Sequence, residues 1–296
     1  MKEKVRSLLK EKNAIMLAHN YQLPEVQDTA DICGDSLELS RKAAQTDADI
    51  IVFCGVHFMA ETASILSPDK TVLLPREDAG CEMADMITAE SLQKKIDALP
   101  PMPVVTYVNS TAAVKALSTI CCTSANVVKI TESLEAAEIL MTPDRNLAKY
   151  AESQTGKKIH IWDGCCPFHD RLTPDQVAAA RQAHPAAAFM AHPECRPEIL
   201  EMADVIASTS GMIRHAESAS EQEFIVGTEV GLLHTLNKQN PEKTFYPASE
   251  ELLCPDMKKI TLADVVSCLE NISGEVKVPE EIRVPALAAV ERMIAI

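Results

Sequence analysis

Three short apolar segments recur along the chain, and each runs into polar residues at its end. They lie at residues 14–19 (AIMLAH), 103–109 (PVVTYVN) and 186–192 (AAAFMAH). Runs this short and this apolar read as buried strands. A second apolar run follows in each block, at residues 49–66, 138–151 and 223–236, and passes into helical spacing. A third comes later still, TVLLP, KIHIW and KTFYP. Beyond it lies a cysteine, Cys81, Cys166 or Cys254, and seven residues past each cysteine stands a threonine, Thr88, Thr173 or Thr261. Threonine is a favoured helix N-cap, and Pro174 takes the first helical position, where its missing N–H costs nothing. The same offset in three blocks marks an internal repeat of about 85 residues.

Strands alternating with helices predict parallel sheets covered on both faces. The fold expected is α/β: three tandem αβα units of about four strands each, arranged about a pseudo-threefold axis with a central active-site cavity. The boundaries are expected at 1–99 for unit one with an N-terminal helix, 100–183 for unit two and 184–270 for unit three. The tail, 271–296, is expected to form a helix packing back on unit one. Ligands of open α/β sheets bind beyond the carboxyl ends of the strands. The polar ends of the first strands, His19-x-Tyr21, Tyr107-x-Asn109 and His192-x-Glu194, are therefore expected to face one cavity.

Composition narrows the classes. Hydrophobic residues make up 47% of 296 residues, enough for sizeable cores, while aromatics are only 4%. No apolar run reaches the ~20 residues of a membrane span, and the charged opening MKEKVRSLLKEKN has no signal-peptide character. A cytoplasmic protein is expected. A net charge of −15 with no basic stripe argues against nucleic acid as a partner. An anionic ligand would need local donors. Three segments offer them at the start of helical stretches: Ser36 after Gly34-Asp35, Ser124 after Thr123, and Thr209 after Ser208.

Ten cysteines in a chain of this kind are not expected to form disulfides, and no C-x-x-C occurs. Cys81, Cys166 and Cys254, one per block in equivalent loops, suggest a soft metal centre. Two forms are open: a cubane cluster with one iron lacking a protein ligand, or a single metal held by the three cysteines and His169. The second would suit a metal-dependent aldolase or lyase. An iron–sulfur sensor would need an output surface that the chain does not display. Acid–base candidates are His19, Tyr21, Tyr107, His192 and Glu194. Cys33, Cys54 and Cys268 read as core, and Cys121, Cys122 and Cys165 neighbour the site. Cys195, opening a helical stretch, reads as an exposed and oxidisable thiol.

The segments LAHNYQ (17–22), GDSLELSRKA (34–43), GVHFMAET (55–62), YVNS (107–110), CTSAN (122–126) and PDRNLA (143–148) occur in order. So do Gly164-x-Cys166-Pro167-x-His169, AHPEC (191–195), STSGM (208–212), GTEVGLLH (227–234) and CPDMKKIT (254–261). Together they resemble the quinolinate synthase family over nearly the whole chain. The resemblance implies condensation of iminosuccinate with dihydroxyacetone phosphate to quinolinate, phosphate and water in NAD biosynthesis. It implies three αβα units and a [4Fe-4S] cluster on Cys81, Cys166 and Cys254, with the open iron as Lewis acid. It also implies substrate contacts from His19, Ser36, Tyr107, Asn109, Ser124, His192, Glu194 and Thr209. Catalytic roles fall to Tyr21, Tyr107, His192 and Glu194. An aspartate oxidase or dehydrogenase is implied as the source of the imine.

Overall fold

The computed structural model describes residues 1–296. Twelve strands form three separate four-stranded sheets, all parallel. The first contains β1 (Ala14–His19), β2 (Ile32–Gly34), β3 (Ile50–Cys54) and β4 (Thr71–Leu73). The second contains β5 (Val104–Tyr107), β6 (Ile120–Cys122), β7 (Glu138–Thr142) and β8 (Lys158–Ile161). The third contains β9 (Ala188–Ala191), β10 (Val205–Ile206), β11 (Glu223–Gly227) and β12 (Thr244–Pro247). The expected α/β architecture, with four strands per unit, is the one observed.

The three sheets share one topology. Their orders are β2-β1-β3-β4, β6-β5-β7-β8 and β10-β9-β11-β12. In each, the chain leaves the first strand toward one edge and returns to its other side. The crevice beside that strand's carboxyl end is thus a topological switch point, where α/β sheets bind ligands. His19 ends β1, Tyr107 ends β5 and His192 directly follows β9, so each sheet delivers a polar side chain to that point. The central strands are apolar and buried because both of their faces are covered: Met16, Leu17, Val105, Phe189, Met190, Ile225 and Val226 are at most 1% exposed.

All three repeat threonines cap helices. Thr88, Thr173 and Thr261 accept from the backbone N–H three residues on, and Ser91, Gln176 and Asp264 at those positions bond back to the cap's own N–H. These reciprocal bonds satisfy donors the helix cannot satisfy itself. Each capped helix then touches the next unit. Ala89–Asp97 meets Ala112–Lys115, and Pro174–Ala183 meets Pro197–Leu200. The third, Leu262–Asn271, returns to the N-terminal helix Lys2–Glu11, with Lys4 and Glu270 paired at 2.7 Å. After it, Gly274–Val276 lies along β4, with Leu74 N–H donating to Gly274 and Val276 N–H donating to Val72. The final helix, Glu280–Ile294, packs against His57–Leu66 and Ser36–Gln45 of the first unit and against Ala112–Lys115 and β6 of the second.

Thr173→Ala and Thr261→Ala should each lower stability by about 1 kcal/mol, the usual worth of a threonine cap. Urea unfolding checks this: unchanged midpoints would show that the boxes do not hold the helices.

Candidate active site

Two adjoining cavities lie where the carboxyl ends of the three sheets meet. The inner one is lined by His19, Tyr21, Asp35 and Ser36 from the first unit, Tyr107, Asn109 and Ser124 from the second, and His192, Glu194 and Thr209 from the third, with Met59 and Met257. The second is lined by Cys81, Cys166 and Cys254 and shares Tyr21, Asn109, Glu194 and Met257 with the first. Every polar residue singled out from the strand ends and helix starts is thus on one wall or another. Cys165 does not line the thiol cavity; it lies beside Arg145 and Asp170.

Local sequence explains how each thiol is presented. Cys166 and Cys254 are followed by Pro167 and Pro255, whose fixed φ starts a tight helical turn. Backbone N–H groups two or three residues on then reach the sulfur: Ala84 and Met83 at Cys81, His169 at Cys166, Met257 and Asp256 at Cys254. Buried carboxylates pin two of these loops. Asp144 accepts from Cys166 N–H at 3.0 Å while capping helix Arg145–Thr155. Glu229 accepts from Cys254 N–H at 3.2 Å and pairs with Lys258 at 2.8 Å. Burial, and the neighbouring Glu194, push the Asp144 carboxyl up to about 8.

A continuous polar chain crosses the boundary between the cavities. The Tyr21 hydroxyl lies 2.6 Å from Thr228 Oγ1, and that oxygen lies 2.8 Å from His169 Nε2. His169 Nδ1 is 2.9 Å from Glu194 Oε2 and 3.1 Å from Cys166 Sγ. His192 Nδ1 is 3.2 Å from the same carboxylate oxygen. The two imidazoles stack at 4.7 Å, and His19 meets Tyr21 edge-on at 4.5 Å. The other carboxylate oxygen, Glu194 Oε1, and Asn109 Oδ1 are buried with no hydrogen-bond partner. Buried acceptors are nearly always paired, so two orphans on one cavity wall point to a ligand that supplies donors.

Burial dominates the electrostatics. It opposes ionisation of Glu194, but His169 and His192 outweigh it and hold the carboxyl below its ordinary range. Burial raises Tyr21 and Tyr107, reinforced by Glu194 in both cases. It pushes Cys81 up to about 12 and Cys254 up to about 11, and it raises Cys166 as well. His19 is lowered to about 3 by burial, then by His192 and Lys258, against an opposing pull from Glu194.

The helix starts are more specific than the sequence pattern suggested. The caps are Asp35 and Ser208, each accepting from backbone N–H groups of its helix. Ser36 and Thr209, one residue further on, are left to face the cavity. Ser124 sits in the turn before helix Val127–Ser133, beside Tyr107 on the cavity wall. Thr228, Asp144, Glu229 and Lys258 were not singled out in the sequence, and His169 was weighed only as a metal ligand. A usable signal was present: Pro143-Asp144 and Thr228-Glu229 follow equivalent strands, β7 and β11. Cys195 corrects an expectation. It is fully buried, in a cluster with Phe189 and Ile199, because its helical stretch turns inward onto the third sheet.

Fold and site together define an α/β enzyme with a buried acid–base cavity beside a thiol-lined centre able to hold a metal; Cys166, His169 and Glu194 alone bring ligand atoms within 4.8 Å of one another. The family profile described as Quinolinate synthetase A protein matches residues 3–295, and the chain belongs to that family. It is 55% identical to the quinolinate synthase of Geobacter sp. (strain M21) over all of this chain and 97% of that protein. It is 53% identical to the quinolinate synthase of Thermodesulfovibrio yellowstonii over 99% of this chain and 97% of the relative. Quinolinate synthase 1 of Methanosarcina acetivorans is 52% identical over the same shares.

His19 generates a prediction. Its folded midpoint, about 3, lies below the unfolded value near 6.5, so the unfolded chain binds the extra proton first. Stability from this residue is intact above about pH 6.5 and is lost as pH falls from there toward 3. The His19 imidazole resonance should not titrate between about pH 8 and pH 5; an ordinary midpoint near 6.5 would show that the ring is solvated.

Proposed function

We propose that the chain condenses iminosuccinate with dihydroxyacetone phosphate to form quinolinate, phosphate and water, with Cys81, Cys166 and Cys254 holding a [4Fe-4S] cluster. The observation that carries this is the single cavity system joining three half-buried thiols from three units to an acid–base chain, with two orphaned acceptors on its wall. The donor set fits the cluster. The thiols are free, none forms a disulfide, and nearby backbone N–H groups favour thiolate at each. When bound, such a cluster supplies a Lewis-acidic iron without a protein ligand. No net redox change is required.

The side chains supply the rest. Ser36 and Thr209 stand at the starts of helices Ser36–Gln45 and Thr209–Ser218, beside backbone donors and the positive dipole end. With Ser124 and Asn109 they would hold carboxylate and phosphate groups without a lysine or arginine. Tyr107 and His19 would close the wall around the three-carbon unit. A proton leaving substrate at Tyr21 Oη can pass through Thr228 and His169 to Glu194 along contacts of 2.6, 2.8 and 2.9 Å. His192, on the same carboxylate, offers a second donor at the other end of the cavity. The three units would sit about a pseudo-threefold axis, with boundaries near residues 99, 183 and 270. An aspartate oxidase or dehydrogenase would supply the imine. No helix is long and apolar enough to cross a membrane, which is compatible with a cytoplasmic setting.

A second reading has one observation in its favour: the grouping of Cys166, His169 and Glu194 could hold a single metal ion, as an aldolase or lyase would require. Metal analysis separates the two. Anaerobically purified protein should carry about four iron and four sulfide per chain, as a [4Fe-4S] centre does, and lose them in Cys81→Ala, Cys166→Ala and Cys254→Ala but not in Cys165→Ser. One zinc without sulfide would overturn the cluster and favour the second reading. Turnover of iminosuccinate and dihydroxyacetone phosphate to quinolinate tests the reaction itself. Thr228→Val, which breaks the chain between Tyr21 and His169 while keeping its shape, should retain the metal and lose kcat by about a hundredfold, the lower worth of a positioned acid–base group. An unchanged kcat would remove Thr228 from the proton path.

A further inference from the structure

Beyond the inner cavity lies an outer one of about 610 Å³. The two share Asp35, and they are built from consecutive residues on three segments. Ser36, Ser124 and Thr209 face inward, while Leu37, Ala125 and Ser210 face outward. Two hydrogen bonds between the first and third units lie along the boundary between them. Ser208 Oγ donates to Asp35 at 3.3 Å, and Ser210 Oγ donates to Glu38 at 3.2 Å.

The outer cavity differs from the inner ones in charge. No lysine or arginine lines the inner cavity or the thiol cavity. Arg41, Lys42, Lys129 and Arg214 all line the outer one, drawn from all three units of a chain with net charge −15. Lys42, Lys129 and Arg214 are exposed, and Arg41 is anchored by its guanidinium to the Ile294 carbonyl at 3.1 Å. The facing carboxylates, Asp35 and Glu38, sit at the amino end of helix Ser36–Gln45, where the backbone offsets their charge. The opposite side of the site is the thiol cavity, whose rim offers Glu82, Met83, Pro167 and Phe168. A cluster seated there would fill that side.

We propose that the outer cavity is the vestibule through which small anionic substrates, dicarboxylates and phosphate monoesters, reach Ser36, Ser124 and Thr209, and that Arg41, Lys42, Lys129 and Arg214 draw them in. This rests on the reaction proposed above for its choice of substrates. The physics is local focusing: the acidic molecule as a whole repels such ligands, and a cleft with four cations reverses the field at its mouth. The attraction acts over roughly a Debye length, about 10 Å at 0.1 M salt, and weakens as salt rises.

The test uses the holoenzyme and two triple variants with the same change in net charge. Lys42→Glu/Lys129→Glu/Arg214→Glu reverses the vestibule. Lys10→Glu/Lys12→Glu/Lys95→Glu reverses lysines that precede β1 and β5, at the opposite ends of the strands. At low salt the vestibule variant should lose about tenfold or more in kcat/KM, at the lower end of what electrostatic steering supplies, with kcat unchanged and the deficit shrinking as salt is added. The control should keep the wild-type kcat/KM. Calorimetric binding of pyridine-2,3-dicarboxylate should weaken in the same variant alone. If the two variants match in both binding and kcat/KM, the vestibule is wrong while the reaction stands. If the wild type turns over neither substrate, the reaction is wrong, and the dicarboxylate binding of the two variants still decides the vestibule.

Discussion

A thiol buried among protein atoms keeps its proton unless a cation takes that proton's place. Cys81, Cys166 and Cys254 face one cavity under that constraint, each raised well above an ordinary cysteine by burial, with no lysine or arginine on the cavity wall. Much of the surrounding structure answers to it. Short helical turns after each cysteine aim backbone N–H groups at the sulfur, and Asp144 and Glu229 fix the loops of Cys166 and Cys254 from behind. These groups lower the cost of thiolate without removing it, and a bound cluster would remove the remainder. Metal loading of such a site releases protons and is coupled to the assembly of the three units that supply the ligands.

The same constraint shapes the acid–base side. Glu194 is buried and ionised, which would be costly if it stood alone. His169 and His192 both reach its Oε2, leaving Oε1 without a partner. The carboxylate therefore has one oxygen committed to protein and one open to the cavity. His169 is shared between Glu194, Cys166 and Thr228, so the thiol centre and the polar chain to Tyr21 meet at one side chain. Contacts run from Cys166 through His169 and Thr228 to the Tyr21 hydroxyl in the first unit. Burial of both tyrosines keeps them protonated, so Tyr21 would take a proton from substrate only as it hands its own to Thr228.

What was legible in the sequence was whatever repeats. Strand β1 lies at residues 14–19, where the apolar run placed it, and the cysteine-to-threonine offset resolves into three capping boxes. Periodicity and capping are local, and local rules carry them. The residues that escaped notice work across units. Thr228 lies 207 positions from Tyr21, and Lys258 lies 237 positions from the Tyr21 carbonyl it caps. No spacing rule reports such neighbours. The cap assignments show the finer limit. A hydroxyl beside a helix start suggests a cap, yet Asp35 and Ser208 take that role and free Ser36 and Thr209 one position later. Cys195 failed for the opposite reason: a polar-looking context, AHPEC, folds inward because His192 and Glu194 belong to the buried site.

Closing three units on one another explains how side chains from all three come to line one enclosed cavity. Each sheet contributes its switch point, and the capped helix that ends the third unit returns to the first helix of the chain. The helix Glu280–Ile294 then lies across the first and second units, with Arg41 of helix Ser36–Gln45 fixed to its carboxyl end. The helix that presents Ser36 to the inner cavity and Arg41 to the outer one is thereby tied to the tail. In the proposed reaction, donors for anions would come from backbone and hydroxyl groups inside and from cations only outside, so that binding strength and attraction would be separated in space. A buried arginine in the inner cavity would hold a dicarboxylate tightly but would also hold the product, also a dicarboxylate in the proposed reaction. Helix ends and hydroxyls would bind such anions without a full opposing charge.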